Sequence, residues 1–203
     1  MLNRFRDFWT RLISPIARLL LRLGVSPDAV TIIGTIGVSF GALFFFPRGQ
    51  LLVGVLVITA FVFSDMIDGH MARLSGKSSA WGAFLDSTLD RLGDAAVFGG
   101  LVLYFMGPGE SDRWAALALY CLVMGATTSY ARARAESLGM QAKGGIAERA
   151  DRLVAILVMT GLSDIFDLPW FIPFTLGVLA VASTVTVIQR VLAVRRQALA
   201  AAA

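Results

Sequence analysis

The sequence predicts an all-α integral membrane protein with six transmembrane helices around a polar cavity that faces the cytoplasm, preceded by an amphipathic interfacial helix. Of the 203 residues, 57% are hydrophobic and only 16% are charged, and the mean hydropathy is +0.73. These values are typical of membrane proteins and exclude an ordinary soluble domain. Uncharged apolar runs recur along the chain at 29–46, 49–64, 95–109, 114–130, 153–163 and 168–188.

Several of these runs are shorter than the roughly 20 residues that a transmembrane helix needs. Polar residues can complete a short run where they line a cavity enclosed by protein. The second, third and fifth runs are therefore extended into their polar flanks, and the fifth has the shortest uncharged core. The predicted helices are 26–46, 50–74, 80–106, 113–138, 147–164 and 169–196.

The segment before the first span predicts an amphipathic helix that lies in the membrane interface. Apolar residues between Phe5 and Leu20 recur every three to four positions. Arginines occupy the other side of this helix: Arg4, Arg11, Arg18 and Arg22. The predicted organisation is a juxtamembrane helix over 1–24, one membrane domain over 25–197 and a disordered, alanine-rich tail over 198–203.

The distribution of basic residues predicts the orientation. With both termini on one side, 15 of the 18 Lys and Arg residues face that side, which the positive-inside rule places in the cytoplasm. We therefore expect a multi-pass protein of the cell membrane whose active site faces the cytoplasm. No aromatic-basic platform accompanies the net charge of +4, so no nucleic-acid partner is expected. The sequence has a single cysteine, Cys121, so we expect neither a disulfide nor redox chemistry.

Eight residues between Asp65 and Asp90 form the pattern D-x2-D-G-x2-A-R-x8-G-x3-D-x3-D. Asp65 and Asp68 are three residues apart and Asp86 and Asp90 are four apart, so each pair shares one face of its helix. The short connection between the two helices makes them antiparallel neighbours, and all four carboxylates are predicted to meet in one pocket.

Aspartate at the centre of a transmembrane helix costs about 2.5–3.5 kcal/mol, so such a cluster is expected to face water and to bind a cation. Carboxylate oxygens suit Mg²⁺ or Mn²⁺, and two such ions would hold a diphosphate. Gly69 and Ala72 leave a bare helix surface for a ligand, and Gly82 does the same or lets the helices pack. The alternative is an ion-coupled transporter, which does not require these small residues.

With this pattern complete, the chain resembles the CDP-alcohol phosphotransferase family. Over nearly its whole length it further resembles actinobacterial members whose acceptor is a phosphorylated inositol. Three segments carry that second resemblance: Asp28-x2-Thr31, the run from Ser129 to Arg134, and Glu148-Arg149-x2-Arg152.

The resemblance implies a transferase of phospholipid biosynthesis that binds CDP-diacylglycerol in the membrane and works as a homodimer. It implies that Asp65, Asp68, Asp86 and Asp90 bind Mg²⁺ or Mn²⁺, expected as two ions, and that Asp90 is the catalytic base. It also implies a set of residues for binding CDP-diacylglycerol: Pro27, Asp28, Thr31, Asp68, Gly69, Ala72, Arg73 and Gly82.

Arginines at the cytoplasmic helix ends suggest the acceptor. Guanidinium groups match phosphate oxygens, so the cluster favours an acceptor that is itself phosphorylated, although the positive-inside rule alone also places arginines here. The predicted phosphate-binding residues are Arg132, Arg134, Arg152 and Arg190. The expected reaction joins CDP-diacylglycerol to inositol 1-phosphate, giving phosphatidylinositol phosphate and CMP; the alternative is phosphatidylglycerophosphate synthesis from glycerol 3-phosphate.

Other polar residues near the motif are expected to be structural. Arg149 is expected to pair with Glu148 or Asp151. Asp94 and Arg91 flank Asp90 and either orient it or pair with each other, and no catalytic role is assigned to His70. Trp81 is expected among the lipid-facing or interfacial aromatic residues.

Overall fold

The structure is a computed structural model that describes residues 13–76 and 79–201, with the side chains of Asp65 and Met66 outside the description. Within these ranges the chain is helical and contains no strand. The helices are α1 (13–22), α2 (Pro27–Phe40, continued by a π turn Gly41–Phe45 and a 3₁₀ turn Phe46–Arg48), α3 (Leu51–Val62), α4 (Ser64–Leu74), α5 (Ala80–Met106), α6 (Asp112–Ser137), α7 (Arg149–Ile165) and α8 (Phe171–Ala201). Every predicted transmembrane segment is therefore helical.

Four helical segments are long and apolar enough to cross a membrane: Pro27–Arg48, Leu51–Leu74, Asp112–Ser137 and Phe171–Ala201. The other two predicted spans differ for separate reasons. Helix α5 has 27 residues, but its first half carries Asp86, Asp90, Arg91 and Asp94. Helix α7 has only 17 residues. Length and composition alone thus support four membrane spans. The predicted total of six spans stays a prediction.

The predicted helix 50–74 is interrupted at Phe63, and the first part of the acidic motif, Asp65 to Arg73, lies on a separate helix of 11 residues, α4. The Ser64 hydroxyl donates a hydrogen bond to the carbonyl oxygen of Phe61 at 2.6 Å. Such side-chain bonds to the preceding turn compete with the backbone ladder and bend helices.

Small residues on α2 allow α3 to approach closely, as the Gly37-x3-Gly41 pair predicts. A Cβ atom at Gly37 would collide with the ring of Phe61, and one at Gly41 would lie 2.8 Å from Cγ1 of Ile58. Phe46, which is fully buried, fills the space next to Gly54. An apolar core therefore forms between α2, α3, α5, α6, α7 and α8 and supports the helices that carry the acidic motif.

Helix α1 packs on the N-terminal end of α2 and the C-terminal end of α4. Ala17 is fully buried against Val30 and Met71, and the Ser14 hydroxyl lies 2.8 Å from Nε2 of His70. Residues 1–12 of the predicted interfacial helix lie outside the described residues. At the other terminus, α8 continues to Ala201 through most of the predicted disordered tail. Alanine has the highest helix propensity, which explains why this extension stays helical.

Candidate active site

An open cavity of about 280 Å³ lies between the N-terminal ends of α2 and α5 and one face of α4. This volume is near the lower end of ligand pockets, which span roughly 300–1,000 Å³. All eight residues predicted to bind CDP-diacylglycerol line this cavity: Pro27, Asp28, Thr31, Asp68, Gly69, Ala72, Arg73 and Gly82. Ser79, Ala83 and Asp86 complete the lining. Residues far apart in sequence thus meet in one space.

The first turns of two helices border this cavity. Ser26 caps α2 by accepting a hydrogen bond from the backbone N–H of Ala29 at 3.2 Å, and Ser79 caps α5 by accepting one from Gly82 at 3.0 Å. Both N-terminal dipoles therefore favour negative charge in the cavity. The Trp81 indole N–H donates to Asp28 Oδ2 at 3.1 Å, which joins the two helix ends. Trp81 thus has a role in the site that its predicted place at the interface did not include.

Asp68 is the buried carboxylate of the cavity, with 7% of its surface exposed. The Thr31 hydroxyl lies 2.5 Å from Asp68 Oδ2 and 3.1 Å from the carbonyl oxygen of Pro27. A carboxylate is the stronger acceptor, so this hydroxyl holds Asp68 in place. Residue Asp86, which is exposed, lines the opposite wall on α5.

Gly82 belongs to the cavity wall and not to a helix-packing contact. A Cβ atom at this position would lie 3.4 Å from the Ser79 hydroxyl and 3.8 Å from Asp28 Oδ1. At Gly69 the added atom would lie 3.7 Å from Nη1 of Arg73. Larger side chains at either position would fill space that a ligand can use.

Asp68 and Asp86 line the cavity, and Asp90 lies one turn after Asp86 on the same face of α5. Asp90 lines a separate internal void of about 20 Å³ together with Arg149. Asp65 lies on α4, and its side chain is outside the described part. Among the side chains that the structure describes, no three His, Cys, Asp or Glu groups are close enough to hold a metal ion. The metal-binding role of the four aspartates stays a prediction.

Asp90 and Asp94 form ion pairs with α7. Arg149 Nη1 lies 2.7 Å from Asp90 Oδ1, and Arg149 Nε lies 3.0 Å from Asp94 Oδ1. Arg152 Nη2 lies 3.6 Å from Asp94 Oδ2. The expected pairing of Arg149 with Glu148 or Asp151 is therefore wrong, because those two residues form the capping box of α7. Asp94 likewise pairs with α7 and not with Arg91.

The sequence contains a signal for this network. Asp90 and Asp94 are four residues apart on α5, and Arg149 and Arg152 are three apart on α7. Each pair shares one helix face, so two carboxylates could be matched with two guanidinium groups once the helices were known to be neighbours.

The four predicted phosphate-binding arginines lie around the α6–α7 connection and not in the 280 Å³ cavity. Two of them are exposed: Arg132 pairs with Glu136 at 3.0 Å, and Arg134 donates to the Ser137 hydroxyl at 3.3 Å. The other two are buried and bind carbonyl oxygens of the connection. Arg152 donates to Ala147 at 3.1 Å, and Arg190 donates to Gly144 at 3.1 Å.

The described residues are helical and include candidate membrane spans. Their acidic cavity is bordered by two helix N-termini. Together these features indicate a membrane-embedded enzyme that acts on a phosphorylated lipid. The chain belongs to the CDP-alcohol phosphatidyltransferase family, whose model matches residues 24–147. This membership confirms the resemblance found in the aspartate motif.

Relatives extend the likeness to the whole chain. A phosphatidylinositol phosphate synthase of Cutibacterium acnes is 53% identical over 97% of this chain and 98% of its own length. One of Streptomyces avermitilis is 50% identical over 97% of this chain and 84% of its own length. The crystal structure of the Mycobacterium tuberculosis phosphatidylinositol phosphate synthase with CDP-DAG bound has a TM-score of 0.87 at 43% identity, covering 91% of this chain and 94% of that chain. The same enzyme in complex with manganese and citrate has a TM-score of 0.84 at 43% identity, over 90% and 88% of the two chains.

Proposed function

We propose that this protein transfers the phosphatidyl group of CDP-diacylglycerol to inositol 1-phosphate, forming phosphatidylinositol phosphate and CMP. The observation that carries the proposal is the single cavity that gathers all eight predicted CDP-diacylglycerol residues from α2, α4 and α5. Its position at the helix ends lets the headgroup enter while the diacylglycerol tails remain in the bilayer.

The donor set of this cavity fits a divalent metal. Asp68 and Asp86 present hard oxygen ligands of the kind that Mg²⁺ and Mn²⁺ prefer, and Asp65 lies one turn from Asp68 on α4. These residues, with Asp90, would hold the predicted pair of Mg²⁺ or Mn²⁺ ions. Bound there, the metal would neutralise charge on the diphosphate.

Asp90 is the proposed base. It accepts the proton of an inositol hydroxyl, and that oxygen then attacks the β-phosphorus, which carries the lipid. A new oxygen–phosphorus bond forms, the bond between the β-phosphorus and the bridging oxygen breaks, and CMP leaves with that oxygen. The side chain of Asp90 is 17% exposed, so it is sheltered from bulk water while the acceptor is aligned.

The acceptor decides between related activities. Purified protein with CDP-diacylglycerol and Mg²⁺ is offered labelled inositol 1-phosphate, glycerol 3-phosphate, inositol or serine in separate reactions, and CMP release is measured. We expect release with inositol 1-phosphate. Release only with glycerol 3-phosphate would assign phosphatidylglycerophosphate synthesis, and solute flux across sealed vesicles without CMP release would assign the transporter.

Arg134 and its neighbours Arg132, Arg152 and Arg190 are proposed to bind the acceptor phosphate. We expect Arg134→Ala to raise the apparent KM for inositol 1-phosphate about tenfold or more, because a charge-assisted hydrogen bond contributes roughly 1.5–3 kcal/mol. The apparent KM for CDP-diacylglycerol should change less than about twofold. Steady-state CMP release measures both values.

Arg195→Ala is the matched control, since Arg195 is an exposed arginine at the same end of the molecule that the orientation rule alone explains. It should leave both KM values unchanged. An acceptor KM that is the same in Arg134→Ala, Arg152→Ala and the wild type would place the phosphate pocket elsewhere.

We propose that α5 and α7 also cross the membrane, giving six spans with both termini in the cytoplasm. The charged half of α5 faces the acidic cavity and α7, which removes it from lipid. Helix α1 lies in the interface, with Ile16, Leu19 and the following Leu23 exposed for contact with lipid. The homodimer stays a prediction, which chemical cross-linking in native membranes tests.

Impermeant maleimide labelling of intact cells tests this topology. Arg113→Cys and Lys143→Cys introduce thiols at exposed positions on opposite predicted sides, and the native Cys121 is buried. We expect labelling of the cysteine at position 113 before lysis and of that at 143 only after lysis. The opposite labelling pattern would show that the protein has the inverted orientation and that its cavity faces the outside of the cell.

A further inference from the structure

Arg149 joins two carboxylates that are stacked one turn apart on α5. Its Nη1 atom lies 2.7 Å from Asp90 Oδ1, and its Nε atom lies 3.0 Å from Asp94 Oδ1. These two nitrogen atoms belong to one planar guanidinium group, so each carboxylate is contacted by its own nitrogen: Asp94 through a hydrogen bond and Asp90 through a close ion pair. The fork geometry thus sets the position of Asp90 relative to Asp94.

The position of Arg149 in α7 does not explain why an arginine is present. It is the first residue of the helix, where the positive end of the helix dipole disfavours a cation. Glu148 and Asp151 already cap this end through the reciprocal capping box. The contribution of Arg149 therefore comes from its contacts with α5.

Asp90 is held more closely by Arg149 than by its neighbour on α5. Arg91 Nη1 lies 3.7 Å from Asp90 Oδ2, whereas Arg149 Nη1 forms an ion pair with Asp90 Oδ1 that is 1 Å shorter, at 2.7 Å. The other oxygen of Asp94 lies 3.6 Å from Arg152 Nη2, which is an ion pair without a hydrogen bond. The side chain of Arg152 is 2% exposed, so the far end of this chain of contacts is anchored in the protein interior.

We propose that Arg149 is a positioning residue for the base: Asp94 orients Arg149, and Arg149 orients Asp90. This inference rests on the proposed function, which assigns Asp90 as the base. Arg149 acts through Asp90 and is not required to touch either substrate. A base displaced by about 1 Å from its productive position can lose about 100-fold in rate.

The test compares steady-state CMP release by Arg149→Gln, Arg149→Lys and Asp94→Asn. We expect Arg149→Gln to lower kcat about 100-fold with the apparent KM for CDP-diacylglycerol within about twofold of the wild type. Lysine should restore part of this loss, because it keeps the charge but cannot bridge both carboxylates. Asp94→Asn should lower kcat about tenfold and should add nothing to Arg149→Gln.

Arg91→Gln is the matched control, because it removes the second arginine near Asp90 without breaking a hydrogen bond to it. Its kcat should fall by less than about threefold. An Arg149→Gln enzyme with wild-type kcat would overturn the proposal. A rise in the acceptor KM alone would overturn it too, and would place Arg149 in the phosphate pocket.

Thermal unfolding gives a readout that does not depend on turnover. The Asp90→Asn substitution should reduce the destabilisation caused by Arg149→Gln, since the ion pair with Asp90 is then already absent and only the one with Asp94 is lost. Strictly additive shifts in Tm would contradict the contact. If the wild type releases CMP only with another acceptor, the proposed function fails while the same kcat comparison and this cycle still test Arg149.

Discussion

Asp90→Asn is expected to lower turnover by at least 100-fold while CDP-diacylglycerol binding stays measurable. Asparagine keeps the shape of aspartate and its Oδ1 can still accept a hydrogen bond from Arg149. It cannot accept the proton of the inositol hydroxyl, and general-base catalysis contributes about 10²–10⁴-fold. Single-turnover CMP release measures the chemical step, and stabilisation of the protein by added CDP-diacylglycerol measures binding.

Asp112→Asn controls for this substitution because Asp112 is an exposed aspartate at the start of α6, at the opposite end of the molecule. Its turnover should equal that of the wild type. If Asp90→Asn retains full turnover, another group accepts the proton and the proposed mechanism is wrong. If the variant loses lipid binding as completely as turnover, Asp90 serves the substrate complex and not the proton transfer.

Asp68→Asn is expected to lower kcat/KM about 10³-fold and to remove the Mg²⁺-dependent stabilisation of the protein by CDP. Asp68 is the buried carboxylate on the cavity and lies 2.5 Å from the Thr31 hydroxyl. The amide keeps an acceptor for Thr31 but loses the negative charge that a divalent ion requires. Thermal unfolding with and without CDP and Mg²⁺ separates loss of binding from loss of folding.

Thr31→Val is the matched variant on the other side of the same contact. It removes the hydroxyl that holds Asp68 but leaves the carboxylate, so kcat/KM should fall only about tenfold. An Asp68→Asn protein that keeps the full Mg²⁺-dependent stabilisation by CDP would remove Asp68 from the metal set. Equal losses in both variants would indicate that Asp68 matters through its orientation and not through its charge.

Much of the architecture could be predicted because its signals are local. Hydrophobic runs placed the long helical segments close to their observed bounds, including α5 at Ala80–Met106. The Gly37-x3-Gly41 pair indicated close packing, and the structure shows it against Phe61 and Ile58. The spacing of the acidic motif identified the family, which the family match confirms.

The predictions that failed are of two kinds. One concerns contacts between residues that are far apart in the sequence, and the other concerns a helix break that depends on a local hydrogen bond. Arg149 lies 55 residues after Asp94, and its sequence neighbours Glu148 and Asp151 offered nearer partners. Those carboxylates were already engaged in capping, which left the guanidinium for α5. The Phe63 break was similarly unforeseen because it depends on which acceptor the Ser64 hydroxyl takes.

Composition, helical periodicity and motif spacing are properties of the chain itself, so they were sufficient to establish a helical membrane enzyme. The cavity residues were named through the family resemblance that the motif supports. These properties of the chain state which side chains share a face of one helix. Which faces meet depends on the packing of the whole bundle, where a small rotation of a helix changes the partner of every side chain on it. Folding therefore decided that Asp68 faces the cavity with Asp86 and that Asp90 pairs with Arg149.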